Sequence, residues 1–211
     1  MINGDKLKTM KFCIHLVWLF LFSINNVFAD STPEELSSTC LGCHGVVSYN
    51  NIYPAYKVPM LGNQHKDYIV AALKAYRSGE RSHPTMRAQA ANLSDNDISK
   101  IADYFSSFKL NEQRTQNPEI KIIDEANACV GCHGPDGNSL VPTFPKIAGQ
   151  YQDYLLHALK SYKNGSRNNA IMTGIAGTLT EEQMIKLSKF YASQIGMQKI
   201  NQGTFALKTF D

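Results

Sequence analysis

An all-α fold built from two tandem units is predicted by three features of the 211-residue sequence. The chain repeats itself at a fixed spacing, its apolar residues recur at helical spacing, and each repeat opens on the same cysteine motif. Gln64, Asp67, Tyr68 and Ile69 match Gln150, Asp153, Tyr154 and Leu155 at an offset of 86 residues. The same offset carries Ala72-Leu73-Lys74 onto Ala158-Leu159-Lys160, Tyr76 onto Tyr162, Gly79 onto Gly165, Arg81 onto Arg167, Met86 onto Met172 and Leu93 onto Leu179. The motifs Cys40-Leu-Gly-Cys43-His44 and Cys129-Val-Gly-Cys132-His133 stand at an offset of 89, so the first copy has a loop three residues longer before Gln64. Two such units are too few for a solenoid and read as tandem domains, 30–111 and 119–211. The polar stretch from Asn111 to Pro118 has no apolar periodicity and closes on a proline, which makes 112–118 the linker.

Taken in order, each unit begins with a short amphipathic segment before its cysteine motif, around Glu34–Thr39 and Ile122–Ala128. A longer helix follows, because Ile69, Ala72, Leu73 and Tyr76 share one face, as do Leu155, Ala158, Leu159 and Tyr162. Gly79 and Gly165 are its expected stops. The last helix of each unit carries its own capping box, Ser94 with Asp97 and Thr180 with Gln183. Its buried face is Ile98, Ile101 and Phe105 in the first unit and Met184, Leu187 and Tyr191 in the second. Strand alternation is not evident, so three main helices per unit are expected. The tail from Met197 to Asp211 has no counterpart in the first unit and reads as a frayed end rather than a segment that docks a partner or the membrane.

The first residues have the layout of a secretory leader. Lys6, Lys8 and Lys11 precede an apolar run from Phe12 to Phe22, and Val27-Phe28-Ala29 offers small residues at a cleavage position. An uncleaved anchor is the rival reading, although the run is short of the roughly 20 residues of a spanning helix. Cleavage after Ala29 removes 1–29 and delivers the rest to the periplasm. The remaining chain has 18 basic and 17 acidic residues, without a basic block, and offers no electrostatic footprint for nucleic acid. Of five cysteines, Cys13 leaves with the leader, and the other four fall in the two motifs.

In an exported chain, Cys-x-x-Cys-His points to covalent c-type haem. The two thiols add to the porphyrin vinyl groups, and the adjacent histidine becomes the proximal iron ligand. A thioredoxin-like pair would need a βαβ context, paired disulfides would leave the histidines unexplained, and a zinc site would not tolerate 85 residues between its halves. Cys40, Cys43, Cys129 and Cys132 are therefore the attachment residues of two haem c groups, with His44 and His133 on the irons. A covalently held macrocycle also supplies an apolar body for a small helical unit to pack around.

The sixth ligand is read from the repeat. Met60 aligns with Lys146 and Met184 with Ile98, so both are packing residues, and Met197 lies beyond the last repeated helix. Met86 and Met172 align with each other, in loops after the glycine stops, and are the candidate axial ligands. His83 aligns with Asn169, which weakens it as a ligand; His65 and His157 are no stronger. The proximal histidines need a carbonyl partner for their second ring nitrogen, and Pro54 and Pro142 are placed to supply it or simply to stiffen a loop. Arg81 and Arg167 either pair with haem propionates or are solvated.

The combination resembles the dihaem cytochrome c4 family over essentially the whole exported chain. The second unit carries the closer match, in Cys129-Val-Gly-Cys132-His133-Gly-Pro-Asp-Gly-Asn-Ser, Pro142-Thr-Phe-Pro145-Lys-Ile-Ala-Gly149-Gln150, Met172-Thr-Gly174 and Leu179-Thr-Glu-Glu-Gln183. The resemblance implies two class I cytochrome c folds related by approximate twofold symmetry, with His–Met ligation of both irons. It also implies a periplasmic carrier, often membrane-associated, taking electrons from a membrane quinol-oxidising complex or a dehydrogenase to a terminal oxidase. A monomer without enzymatic activity of its own is expected. The first unit departs from the pattern, with His44-Gly-Val-Val-Ser-Tyr-Asn-Asn in place of a Gly-x-Asp-Gly turn. A second class, also by resemblance, is the cytochrome subunit of flavocytochrome c sulfide dehydrogenases. A haem peroxidase is a third, and matched methionines at both sites argue against the open iron position it requires.

Overall fold

The computed structural model describes residues 31–108 and 120–200. The expected leader, the linker 112–118 and residues 201–211 of the tail lie outside the described residues. The described residues of both repeats fall in one compact unit, Thr32–Asp211.

The N-terminal repeat runs through α1 (Pro33–His44), a hairpin of β1 (Asn50–Asn51) and β2 (Tyr56–Lys57), α2 (Lys66–Ser78), α3 (Pro84–Ala90) and α4 (Asp95–Ser106). The C-terminal repeat has a 3-10 turn at Asp124–Ala126, then α5 (Asn127–His133), α6 (Gln152–Lys163), α7 (Ala170–Thr178) and α8 (Glu181–Ala192). Both expected capping boxes form, at Ser94–Asp97 and Thr180–Gln183, and Thr32 with Glu35 makes a third at the start of α1. Pro33 follows that cap directly, where its missing N–H costs nothing. Gly79 and Gly165 adopt φ of 89° and 78°, the left-handed conformation that stops α2 and α6 without steric cost.

Three elements differ from the sequence expectation. Each repeat has a fourth helix, α3 or α7, where loops were expected. Both are short and start on caps that hydrophobic periodicity does not reveal. The three-residue insertion of the first repeat is the β1–β2 hairpin, whose strands are only two residues long and rich in asparagine. The tail does not fray at Met197: Met197 is buried, Gln198 half-buried, and Ile200 sits at 4% exposure in the core of the N-terminal repeat.

That core gathers Leu41 from α1, Ile69 and Leu73 from α2, and Ile98, Ile101 and Phe105 from α4. Its C-terminal counterpart gathers Ala126, Leu155, Leu187 and Tyr191. Fully burying one large apolar side chain contributes roughly 1.5–3 kcal/mol. α1 packs on α4, and α2 packs on α3 and α4, and residues from the end of α1, from α2 and from α3 line one cavity. The repeats meet through equivalent surfaces. Arg81 and Arg167 form an antiparallel backbone bridge with each other. Asn63, at φ 66°, and Gly149, at φ 69°, occupy the same left-handed turn before α2 and α6.

Candidate haem sites

The helical Cys-x-x-Cys spacing places Cys40 and Cys43 one turn apart on α1, with His44 at its last position. His44 Nδ1 lies 2.8 Å from the Pro59 carbonyl oxygen. A carbonyl only accepts, so Nδ1 carries the proton and donates it, and the Nε2 lone pair is left free. Burial pushes His44 below its ordinary pKa, against the pull of that carbonyl, and nearby His83 and Arg81 push the same way. The ring is thus held neutral, the form an iron ligand requires.

The C-terminal repeat is built alike. Cys129, Cys132 and His133 lie on α5, and His133 Nδ1 donates to the Pro145 carbonyl at 2.9 Å. Burial again lowers the His133 pKa. Ser139 Oγ donates to the Cys132 carbonyl at 2.8 Å and ties the following loop to the motif. The loop turns at Gly137, φ 86°, where a Cβ would stand 2.7 Å from the Tyr191 ring and 2.8 Å from the Ala148 nitrogen. Only glycine fits that approach, and the β1–β2 hairpin takes its place in the first repeat.

The carbonyl donors correct the expectation of Pro54 and Pro142. Pro54 accepts instead from Asn51 Nδ2 at 2.8 Å within the hairpin. Neither proline has a proline counterpart at the 86-residue offset, whereas Pro59 and Pro145 are counterparts at that offset. The repeat register was the signal that identifies them.

Met86 and Met172 stand in the first turns of α3 and α7 rather than in loops. The cap residues are His83, whose Nδ1 accepts from the Met86 N–H at 3.2 Å, and Asn169, whose Oδ1 accepts from the Met172 N–H at 3.0 Å. The alignment of His83 with Asn169 therefore reflects a shared capping role, which orients each methionine. Met60 and Met184 are buried as expected, and Met197 is buried as well, 3.6 Å from Gln64 Nε2.

A continuous cavity of about 480 Å³ is bounded by Cys40, Cys43, His44 and Met86 from one repeat and Cys129, His133 and Met172 from the other. Its walls are mainly apolar, and none of the four motif cysteines is in a disulfide. Burial raises the Cys40 and Cys129 thiols, which keeps them uncharged in this setting.

Between the two halves the cavity wall becomes cationic. Arg81 donates to the Tyr154 hydroxyl at 2.9 Å, and Arg167 donates to the Tyr68 hydroxyl at 2.7 Å. Each guanidinium also lies over a tyrosine of its own repeat, Arg81 at 4.5 Å from the Tyr76 ring and Arg167 at 4.4 Å from the Tyr162 ring. Among the described residues no carboxylate pairs with either arginine. Burial opposes ionisation of the Tyr68 hydroxyl, yet the two guanidiniums outweigh it and bring it down to about 8. A tyrosine made that acidic reports a site short of negative charge. Haem carries propionate carboxylates, so this pair of enclosed cations fits the group just as the thiols and neutral histidines do. The arginines are half-buried rather than freely solvated, and each reaches a tyrosine of the other repeat.

The Cytochrome c family profile matches residues 121–194. Cytochrome c-552 of Acidithiobacillus ferridurans is 34% identical over 177 residues, covering 76% of this chain and 76% of that protein. A thiosulfate dehydrogenase electron acceptor of Thiomonas intermedia is 27% identical over 79% of this chain and 82% of its own length. The solved cytochrome c4 of Acidithiobacillus ferrooxidans superposes with a TM-score of 0.59 at 33% identity, covering 74% of this chain and 99% of that one. With two equivalent haem-binding repeats of class I cytochrome c fold, and covalently bound haem c implied at both, the chain belongs to the dihaem cytochrome c4 family.

Proposed function

We propose that this dihaem electron-transfer protein is exported, cleaved after Ala29, and carries single electrons in the periplasm. In this reading 30–111 and 119–211 are its two cytochrome domains, joined by 112–118. The donor is a membrane quinol-oxidising complex or a dehydrogenase, and the acceptor is a terminal oxidase. Cys40 and Cys43, and Cys129 and Cys132, are the attachment thiols. His44 with Met86, and His133 with Met172, are the axial pairs.

The observation that carries this reading is the matched geometry of the two repeats. Each presents a neutral histidine, fixed by a proline carbonyl, and a methionine on a capped first turn, all lining one cavity. When bound, each haem supplies a one-electron iron couple. The residues' part is to keep the coordination unchanged between oxidation states and the site dry, which keeps reorganisation small. Pro59 and Pro145 hold the histidine rings, and His83 and Asn169 hold the methionine turns. Arg81, Arg167, Tyr68 and Tyr154 provide a polar junction between the two sites. Among the described residues no helix is long and apolar enough to cross a membrane.

A mass measurement on the exported protein, with a haem spectrum, tests leader cleavage and two covalent haems together. Met86→Ala and Met172→Ala are each expected to remove the weak red-end methionine-to-iron absorption of one haem; retention of the full band in both would overturn the axial assignment. A second reading, electron-transfer subunit of a dehydrogenase, is favoured by the relative that serves as a thiosulfate dehydrogenase electron acceptor. Stoichiometric co-purification with a dehydrogenase subunit would select it.

A further inference from the structure

The two haem sites are not chemically identical, and the difference lies at one aligned pair of positions. Phe105 and Tyr191 are equivalent under the 86-residue offset. Their backbones play the same part, the Phe105 carbonyl accepting from the Asn63 N–H at 3.2 Å and the Tyr191 carbonyl from the Gly149 N–H at 2.8 Å. Both side chains are enclosed, at 0% and 3% exposure, and both border the cavity. Phe105 packs in the cluster that touches Cys40. Tyr191 adds a buried hydroxyl at the corresponding place, with no partner in full hydrogen-bond geometry and the Cys129 thiol interacting with it. Burying a hydroxyl with so little to bond to is unfavourable, so it needs a reason to be there.

The group facing it is Cys129. Burial first, and then the neighbouring Cys129 and Asp136, raise the Tyr191 pKa, so the hydroxyl keeps its proton and can act as a donor. The ring has little freedom to turn away. Its edge is packed against the Gly137 turn so tightly that a Cβ there would stand 2.7 Å from Tyr191 Cδ1, and the Phe190 ring meets it edge-on at 4.9 Å.

Covalent attachment adds the Cys129 S–H across a haem vinyl group. A carbon–sulfur bond forms, the vinyl double bond is consumed, and the thiol proton ends on the other vinyl carbon. The sulfur is then an acceptor with no proton of its own. We infer that the Tyr191 hydroxyl donates a hydrogen bond to the Cys129 thioether sulfur and thereby sets the C-terminal haem site apart from the N-terminal one. The positive end of the O–H dipole points at the haem edge and favours the less positive, reduced iron. It therefore raises the potential of that site. Phe105 offers no such dipole, and a directional bias between two otherwise matched sites follows.

The inference rests on haem attachment at Cys129, and the test separates the two. Tyr191→Phe and the reciprocal Phe105→Tyr are prepared as full-length holoproteins, and covalent haem content is checked by mass. Optical potentiometric titration is expected to show one couple shifted to lower potential in Y191F and the other unmoved. The shifted couple is assigned to the C-terminal haem by nuclear Overhauser contacts to the His133 ring. Resonance Raman is expected to show a changed thioether C–S stretch in Y191F, and F105Y is expected to raise the other couple. With two haems retained, unmoved couples or an equal shift of both in Y191F would overturn the inference. Loss of the C-terminal haem from Y191F would also overturn it, since the hydroxyl would then serve attachment rather than potential.

Discussion

Gln64 and Gln150 occupy equivalent positions of the two repeats, and each clasps the opposite repeat by its backbone. Gln64 Nε2 donates to the Lys146 carbonyl at 2.8 Å, and Gln64 Oε1 accepts from the Lys146 N–H at 2.9 Å. Gln150 Nε2 donates to the Met60 carbonyl at 2.9 Å, and Gln150 Oε1 accepts from the Met60 N–H at 3.0 Å. Met60 and Lys146 are themselves counterparts, and each directly follows the proline whose carbonyl holds a proximal histidine. The same two amides thus join the repeats and fix the segments that orient His44 and His133.

Gln150→Ala removes both bonds to Met60 at a place where Gln150 and Met60 are 5% and 6% exposed. Two backbone groups lose their partners in a buried setting, at about 1–3 kcal/mol each, so a loss of about 2–6 kcal/mol is expected in chemical denaturation of the holoprotein. Gln64→Ala is expected to act in the same direction. A change below about 0.5 kcal/mol in both would show that the clasp contributes nothing.

Local features were largely legible in the sequence. The motifs, the glycine stops, the Ser94 and Thr180 caps and the apolar faces all depend on residues within one or two helical turns. The register itself held more than its first reading took from it, since Pro59 and Pro145 are its matched prolines. What stayed hidden depends on distant partners. Arg81 and Arg167 gave no local sign of meeting, because their surroundings are tyrosines of both repeats. Ile200 reads as tail because its core is assembled from residues 41 to 105. The short helices α3 and α7 escaped because at seven and nine residues they leave too few positions for an apolar period to stand out.

The C-terminal segment acts as a strap across both repeats. The Met197 N–H donates to the Ala148 carbonyl at 2.7 Å, the Gln198 N–H to the Gly62 carbonyl at 2.9 Å, and Ile200 then enters the N-terminal core. A Cβ at Gly196 would stand 2.3 Å from the Ala148 oxygen, which backbone cannot yield cheaply. Gly196→Ala is expected to destabilise by about 1–3 kcal/mol through overpacking. Ile200→Ala is expected to cost about 2–4 kcal/mol through the cavity it leaves. Gly177→Ala, exposed on α7 where a Cβ meets nothing within 4 Å, is the control expected not to destabilise in the same thermal melts.

The capping boxes give a smaller, local effect. Ser94 Oγ accepts from the Asp97 N–H at 3.1 Å, and Thr180 Oγ1 accepts from the Gln183 N–H at 3.2 Å. Ser94→Ala and Thr180→Ala are each expected to cost about 1 kcal/mol. The helices they start, α4 and α8, lie in different repeats and share no cap partner, so the double variant is expected to be additive in denaturant melts.

The arginine pair yields the prediction most directly tied to electron transfer. Burial works against the charge of both guanidiniums, but the facing tyrosine hydroxyls hold them protonated. Arg81 and Arg167 meet at the backbone bridge between the repeats, so a charge removed there is felt on both sides. Losing a positive charge favours the more positive, oxidised iron. Arg167→Gln is therefore expected to lower both midpoint potentials rather than one. For a unit charge roughly 10 Å from a redox centre at an effective dielectric of about 20, Coulomb's law gives about 1–2 kcal/mol, an upper bound before solvent enters the cavity. Arg167→Lys keeps the charge but loses the planar contact over Tyr162, so a smaller shift is expected. Redox titration of the three proteins distinguishes the cases: a shift of both couples in R167Q that R167K largely restores identifies charge, whereas equal shifts in the two variants would identify packing.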